Sequence, residues 1–557
     1  MKRQAYLAIS LILLGILLRV SSLDNVPYLD EAAWAYTATD TSMQTYASTI
    51  PHPPLAILLF KAPMLIAPYS DVMLRMVPLF LGLATLAVVF LIANILYGKS
   101  AAYWSLVIMS LSFWHVLASV QVDVDGAILA FLFSCAVYCY LLFEKTTKKQ
   151  FLYATGVFLG LCIFAKLPGI LGSVTIGLYV IAKKRKLRSI IIEGGVLLSI
   201  VAAMFAPYVL YLKATNPEAF QFVFAHNAGY YTGGVSLLPL AYLLLWGTPL
   251  LAGLSMLATL RLAKNDMLPL LWIFVCVAFY LVMGVPGLSP FDRYLMVIIP
   301  PLAMLSGKFL SSLQPAKRHL PHIITSFLIG LAILTAFQFQ STIVRHSLED
   351  YAKRLLSPDW MFYLPITGSS GPTMLIGIGG IIVVSALAYL FMLFSLFSKK
   401  KGLKTGLIAV SLGMALAINL FLAGELAFPL LSPDISAMTN DAISTVKSSS
   451  LSLPLYTNAL GISWHARLND PYFARGGIIT VLPDARRYET ESSDESIRSI
   501  AEGMLAEGGT LIHIDYPPSH TAIALWDALA DCNVMKEYTY KERRMGYVIT
   551  CPEQDNI

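Results

Sequence analysis

The residues whose types and spacing suit chemistry fall in one short stretch, 28–61, which reads YLDEAAWAYTATD, then a gap, then IPHPPLAILLFK. It holds Asp30, Glu31, Asp40, His52 and Lys61 in a chain of which only 13% is charged. Asp30 and Glu31 follow the first apolar run by about ten residues. A carboxylate just outside a membrane face can take the proton of an attacking hydroxyl as it adds to carbon. Its alternative use is structural, with Asp30 capping the helix of AAWAYTATD. His52, beside two prolines, can hydrogen-bond a substrate or a base, or serve only as a loop residue.

Charge on a leaving phosphate can be stabilised by fixed cations, and arginine offers phosphate a two-pronged fork. Lys61, Arg75, Lys166 and Arg293 are the candidates. All four fall near the same membrane face, where basic residues are otherwise scarce. Each taken alone reads equally well as a side chain snorkelling to the interface; together they favour an anion site. VQVDVDG at 120–126 carries Asp123 and Asp125 in a DxD pattern. That pattern is short, and no nucleotide-sugar fold surrounds it, so a divalent metal is possible but unsupported and no cofactor is assigned. Asp125 opens a span, where it is a possible substrate ligand, a helix cap or a partner for an arginine. Tyr294, after Asp292-Arg293, is a possible stacking surface for a sugar, or part of an interfacial aromatic belt with Tyr230, Tyr231 and Trp246.

The elements that must hold these groups are membrane spans. Of 557 residues, 57% are hydrophobic, and the mean hydropathy is +0.69, which excludes an ordinary soluble globule. Apolar runs of spanning length occur at 5–21, 73–97, 101–118, 126–143, 151–166, 168–182, 189–212, 236–260, 267–284, 293–312, 321–341, 373–397 and 405–428, about thirteen in all. Counted alternately, one set of connections gathers the basic clusters: Lys2/Arg3, Lys99, Lys145/Lys148/Lys149, KKRKLR at 183–188, Arg261/Lys264, Lys317/Arg318 and Lys399/Lys400/Lys401/Lys404. That side should be the cytoplasm. The net charge of +6 is thereby accounted for without nucleic acid. The first outer loop, 22–72, and everything after about 430 should face the other compartment. An even number of spans would instead leave the tail with the lysines. Within the segment 342–372, TIVRHSLEDYAKRLLSPDW reads as an interfacial amphipathic helix with Trp360, Phe362 and Tyr363 at headgroup depth.

The chain thus divides into a transmembrane domain, 1–430, and a soluble extracytoplasmic domain, 431–557. In the latter, LPLYTNAL, GIITVL, TLIHIDY and GYVITC read as strands, and stretches near 435–447, 493–507 and 520–531 read as helices, giving a small α/β unit. It lacks a GxGxxG or Walker pattern. Cys532 and Cys551 lie in it and could pair; Cys135, Cys139, Cys162 and Cys276 sit in apolar runs as packing residues.

YLDEAAWAYTATD followed by HPPLAILLF resembles the first outer loop of GT-C glycosyltransferases of the protein O-mannosyltransferase and lipid A aminoarabinose transferase superfamily. The likeness continues at RMVPLFLGLATLAVVFLIA (75–93), VDGAILAFLFSCAV (124–137), GLCIFAKLPGIL (160–171) and DRYLMVIIPPLAML (292–305), and so covers most of the membrane part. It implies a polytopic α-helical GT-C architecture with an outward soluble tail, a polyprenyl-phosphate sugar donor and an extracytoplasmic acceptor, which is lipid, glycan or protein. It implies that Asp30, with Glu31 beside it, is the catalytic base. The family often has a basic residue ahead of the span-opening Asp; SVQVD has none here. The expected activity is inverting transfer of a hexose or pentose in the plasma membrane of a prokaryote, with the N-terminus cytoplasmic. The alternatives are a transporter or lipid flippase, against which the polar residues gather at one face rather than the midplane, and a non-catalytic assembly subunit.

Overall fold

A computed structural model describes residues 2–28, 30–39, 52–183, 186–230, 238–283, 291–313, 317–345, 354–355, 357, 359–366, 371–449, 455–457, 479–481, 501–516 and 521–552. Tyr231, Asp40 and most of the stretch read as an interfacial helix lie outside them.

In hydrocarbon every backbone N–H must find a carbonyl within its own segment, so apolar runs become helices. In chain order they are α1 (Lys2–Val20), α2 (Asp30–Thr39), α3 (Leu55–Lys61), α4 (Asp71–Tyr97), α5 (Lys99–Leu111), α6 (Phe113–Ala118), α7 (Leu129–Thr146), α8 (Lys149–Ala165), α9 (Ile170–Ala182), α10 (Leu187–Thr215), α11 (Pro217–Tyr230), α12 (Leu238–Trp246), α13 (Leu254–Thr259), α14 (Met267–Met283), α15 (Phe291–Tyr294), α16 (Ile299–Leu313), α17 (Leu320–Gln340), α18 (Ile378–Phe397) and α19 (Lys401–Ala427). The protein is a polytopic helical membrane protein: eight helical segments among the described residues are long and apolar enough to cross a membrane, and five apolar helices are shorter. The apolar runs predict about thirteen continuous spans, and the structure differs where the backbone breaks. The run 101–118 splits between α5 and α6 at Ser112, whose backbone is extended. The run 236–260 splits at Gly247-Thr248-Pro249. There Thr248 takes φ +53°, and its hydroxyl accepts from Leu250 N and from the amide of Asn419, at 3.3 and 2.9 Å. The start of the run 373–397 is a strand.

α4 shows why the two membrane faces differ. Ser70 caps it by accepting from Met73 N at 3.2 Å. From Arg75 to Tyr97 it rises ~33 Å at 1.5 Å per residue, and it stops at Gly98, whose φ of +85° no side chain adopts easily. Tyr97 ends among Asn265, Asp266 and Lys308, while Arg75 begins among the acidic groups described below.

Beyond α17, β1 (Tyr363–Ile366) and β2 (Met374–Gly377) form an antiparallel hairpin. Phe362 and Tyr363 are therefore fully buried rather than at headgroup depth. After α19 come α20 (Ile435–Ser448), β3 (Leu455–Thr457), β4 (Ile479–Val481), β5 (Gly509–Ile514), α21 (Thr521–Ala528), β6 (Asn533–Tyr540) and β7 (Arg543–Cys551). The strands make one mixed sheet in the order β4-β3-β5-β7-β6. β6 is the strand the sequence reading passes over: it is an edge with five of its eight residues exposed and none buried, so it lacks the apolar alternation of the others. Cys532 and Cys551 are joined as a disulfide that ties the start of β6 to the end of β7.

The sheet is fastened to the membrane bundle through the β6–β7 turn. Lys541 and Glu542 both take positive φ, +50° and +61°, and the turn aims the Lys541 ammonium at the end of α17. It donates to the carbonyls of Gln338 and Phe339 at 3.0 and 2.7 Å and to the Tyr363 hydroxyl at 2.6 Å. A cation there answers the open carbonyls and negative pole of a helix end.

His513, on β5, lies flat against Tyr547, with ring centroids 5.0 Å apart. Burial, with the Arg345 charge adding to it, pushes its pKa down to about 3. The unfolded chain binds this proton near pH 6.5 and the folded tail does not, so stability is full above that value and falls as the pH drops from it towards 3. The tail should lose about 2 kcal/mol by pH 5, read as faster hydrogen exchange across β5 and β7. His513→Gln should flatten the dependence.

Candidate active site

α2 begins at Asp30, so its first turn presents two carboxylates to the positive pole of the helix. Neighbouring positions point apart on a helix, and the two acids meet different surroundings. Glu31 turns inward against Arg75, and neither side chain has any exposure. Its Oε1 accepts from Arg75 Nη1 at 2.6 Å and from Val122 N at 2.8 Å. Its Oε2 accepts from Arg75 Nη2 at 2.8 Å and from Tyr28 N at 3.4 Å. Arg75 spends its remaining hydrogens on the carbonyls of Val120 (2.6 Å) and Asn25 (3.2 and 3.1 Å). A guanidinium has five N–H donors, and all five are taken. The sequence suggests Glu31 as a second catalytic acid and Arg75 as a phosphate ligand. The geometry gives them another task, because a sealed and satisfied pair has nothing left for a substrate.

Asp30 turns the other way, and its side chain keeps 18% exposure. Its Oδ2 accepts from Arg293 Nη1 at 2.7 Å. The same Nη1 donates to Asp123 Oδ2, also at 2.7 Å. Asp123 uses its other oxygen to cap the π-helical turn Val124–Ile128 that leads into α7, accepting from Val124 N and, at 3.3 Å, from Asp125 N. Asp125 then reaches Lys166 at 2.5 Å. Lys166 follows α8, whose last turn ends there because the chain runs on into Leu167-Pro168-Gly169. Tyr294 joins the two halves: its ring lies 4.4 Å from the Lys166 ammonium and 5.2 Å from the Arg293 guanidinium, within cation–π range of both.

Asp30, Asp125, Lys166, Arg293 and Tyr294 are thus brought into one cluster, with Asp123 at its centre. Three carboxylates face two cations. His52 and the end of α3 that carries Lys61 pack beside Trp34, one helical turn along α2 from Asp30. The His52 ring stacks on Trp34 at 5.7 Å, and Trp34 also packs on Phe60, the neighbour of Lys61. Lys61 is half-buried and makes no ion pair among the described residues. Among the described residues, no three His, Cys, Asp or Glu side chains are grouped to hold a metal ion.

Two supporting groups escape the sequence reading. Arg19, at the end of α1, is fully buried and donates to Ser119 Oγ (3.1 Å) and Ser110 O (3.0 Å), with His115 Nδ1 at 2.7 Å. It grips α6 just ahead of the segment that delivers Asp123. Gly82 of α4 lets that segment close in, because a Cβ there would lie 2.7 Å from Ser119 Cβ. The available signal was a further arginine on the face where cations are scarce. The second group, Tyr28, carries no such signal.

Residues 51–211 match the family described as dolichyl-phosphate-mannose-protein mannosyltransferase. The whole fold is similar to ArnT from Cupriavidus metallidurans. Against its apo state the TM-score is 0.62 at 14% identity, covering 99% of this chain and 98% of that one. Against its form bound to undecaprenyl phosphate the TM-score is again 0.62, at 15% identity and 98% of each chain. No curated protein matches the sequence. The architecture is that of the GT-C membrane glycosyltransferases. The fold is thus ArnT-like over the whole chain, and the likeness to the mannosyltransferase family lies in residues 51–211.

Glu31→Gln should leave Arg75 charged and unpaired in the interior, at a cost of about 3–5 kcal/mol. The expected result is a large drop in melting temperature and yield in detergent. Replacing both partners, Glu31→Leu with Arg75→Met, removes the unpaired charge but strands Tyr28 N, Val122 N, Val120 O and Asn25 O, so it should recover only part of that loss.

Proposed function

We propose that the protein transfers a sugar from a polyprenyl-phosphate donor to an extracytoplasmic acceptor with inversion at the anomeric carbon. The observation that carries this reading is the partly exposed Asp30 carboxylate, one hydrogen bond away from an arginine in a cluster that also holds Lys166. Asp30 takes the proton from an acceptor hydroxyl or amine. The freed electron pair forms the new bond to the anomeric carbon, and the bond from that carbon to the phosphate oxygen breaks on the opposite side. The polyprenyl phosphate leaves with the electron pair, its charge met by Arg293, Lys166 and Lys61. Asp123 and Asp125 hold Arg293 and Lys166 in place, Tyr294 supports both cations, and His52 lines the flank next to Lys61. The ArnT fold bound to undecaprenyl phosphate supports a donor of that kind.

The site faces outward in this reading, with the basic turns and the N-terminus in the cytoplasm of a prokaryotic cell and 431–557 as the extracytoplasmic domain. The Cys532–Cys551 disulfide supports this, since such bonds persist in oxidising compartments.

Reconstituted protein should move labelled sugar from a polyprenyl-phosphate sugar to an acceptor extract. Asp30→Asn should lose roughly 10³-fold in rate while keeping the melting temperature. A fully active Asp30→Asn protein would exclude Asp30 as base. In whole cells, a membrane-impermeant thiol reagent should label Cys532 and Cys551 only after reduction. No labelling even after reduction, with labelling appearing once the cells are permeabilised, would place the tail in the cytoplasm.

A further inference from the structure

The residue just ahead of the reacting stretch is buried in the wrong place for a membrane loop. Tyr28 is 4% exposed, and the core cluster it belongs to is built mostly from the tail, with Ile443 of α20, Ile514 of β5, Val548 of β7 and Tyr516, together with Tyr363 and Leu375 of the β1–β2 hairpin. Its ring meets Tyr516 edge-on, centroids 5.1 Å apart at 84°. Its hydroxyl donates to the Tyr516 carbonyl. Tyr516 is itself fixed: its hydroxyl donates to Ile366 O at 2.7 Å and accepts from Met374 N at 3.1 Å. Two residues before Tyr28, Val26 N donates to Ser436 Oγ of α20 at 2.9 Å.

On its other side Tyr28 sets the start of α2. Its carbonyl accepts from Glu31 N at 3.0 Å, and its N–H donates to Glu31 Oε2. Asp30 is therefore held between a residue locked into the tail and a residue locked to Arg75. We infer that the C-terminal domain is part of the catalytic apparatus, with Tyr28 a positioning residue through which Tyr516 of the tail fixes the Asp30 carboxylate against Arg293. This rests on the reading of Asp30 as the base. The physical reason is that a short helix at the end of a loop has little rigidity of its own. A reacting group must be held to fractions of an ångström, and a misplacement of that order costs about 10²-fold in rate. A large ring buried in a second domain supplies the missing constraint.

The test compares three variants of the full-length protein. Tyr28→Phe keeps the ring and loses the hydrogen bond. Tyr28→Ala loses both. Tyr540→Phe is the control: Tyr540 packs on the same core as Tyr28, but its hydroxyl meets Tyr363 of the membrane domain and donates to Leu431 O, not to a residue of the loop. Tyr28→Phe should lower kcat severalfold and Tyr28→Ala about 10²-fold, each with KM for the polyprenyl-phosphate sugar at the wild-type value. Amide exchange over 30–39 should quicken in both while that of β6 and β7 stays unchanged. Tyr540→Phe should match wild type in kcat and in exchange over 30–39. The inference is overturned if Tyr28→Ala keeps wild-type exchange over 30–39, or if Tyr540→Phe lowers kcat as far as Tyr28→Phe. A wild-type protein that transfers no sugar defeats the proposed function instead, and the exchange over 30–39 still decides whether Tyr28 fixes the helix.

Discussion

Glu31 and Arg75 are two full charges with no exposure to solvent, and the end of the bundle that carries α2 is arranged around satisfying them. Withdrawing such a pair from solvent costs several kcal/mol per ion unless every lone pair and every N–H finds a partner. Here the partners are backbone groups from two separate segments: Asn25 O and Tyr28 N in the loop after α1, and Val120 O and Val122 N in the link after α6. Neither segment is regular, and neither would have a defined position against α4 otherwise. The ion pair turns a demand for hydrogen bonds into a fixed geometry. Because Asp30 precedes Glu31 and Asp123 follows Val122, it also sets the distance between the two carboxylates that share Arg293.

The same principle recurs on a smaller scale. Arg19 is buried among neutral acceptors on α1, α5 and α6, and Glu425 among the N–H groups of Leu431 and Ser432 where the chain leaves the last membrane helix, while the exposed Lys541 reaches the carbonyls at the end of α17. Each is a charged side chain placed where a helix ends and backbone groups have lost their partners. The tail is fixed to the bundle by these end-of-helix contacts and by the core that encloses Tyr28.

This explains what could be read from the amino acids. The helices were legible because a bilayer enforces them run by run, and the two faces because lysine and arginine gather on one of them. The exceptions among the cations, Lys61, Arg75, Lys166 and Arg293, were legible for the same reason. Which acid each would choose was not. Arg75 selects Glu31 and Arg293 selects Asp30 and Asp123 across separations of 44, 263 and 170 residues, and spacing along a chain carries no trace of such pairings. The breaks at Ser112 and Thr248 were hidden because the surrounding apolar run is continuous. Tyr28 was hidden because a tyrosine in an outer loop has an ordinary explanation in an aromatic belt, and its actual partner, Tyr516, lies 488 residues away.

The charge balance of the cluster bears on the order of events in the proposed reaction. With three carboxylates against two cations, the site repels an anion until its cations are shared differently, and low dielectric sharpens that repulsion. Lys61 makes no ion pair among the described residues, so in the proposed reaction it is the cation with no carboxylate to give up. Arg293 then matters most, because its Nη1 already serves two carboxylates and can give up one of them at the cost of a single hydrogen bond. If it turns to the phosphate, Asp30 Oδ2 loses the hydrogen bond it accepts from Arg293 and is open to the acceptor's proton. The arrangement thereby couples the arrival of negative charge on one side of the guanidinium to the release of a base on the other, with Asp123 keeping the arginine in register throughout.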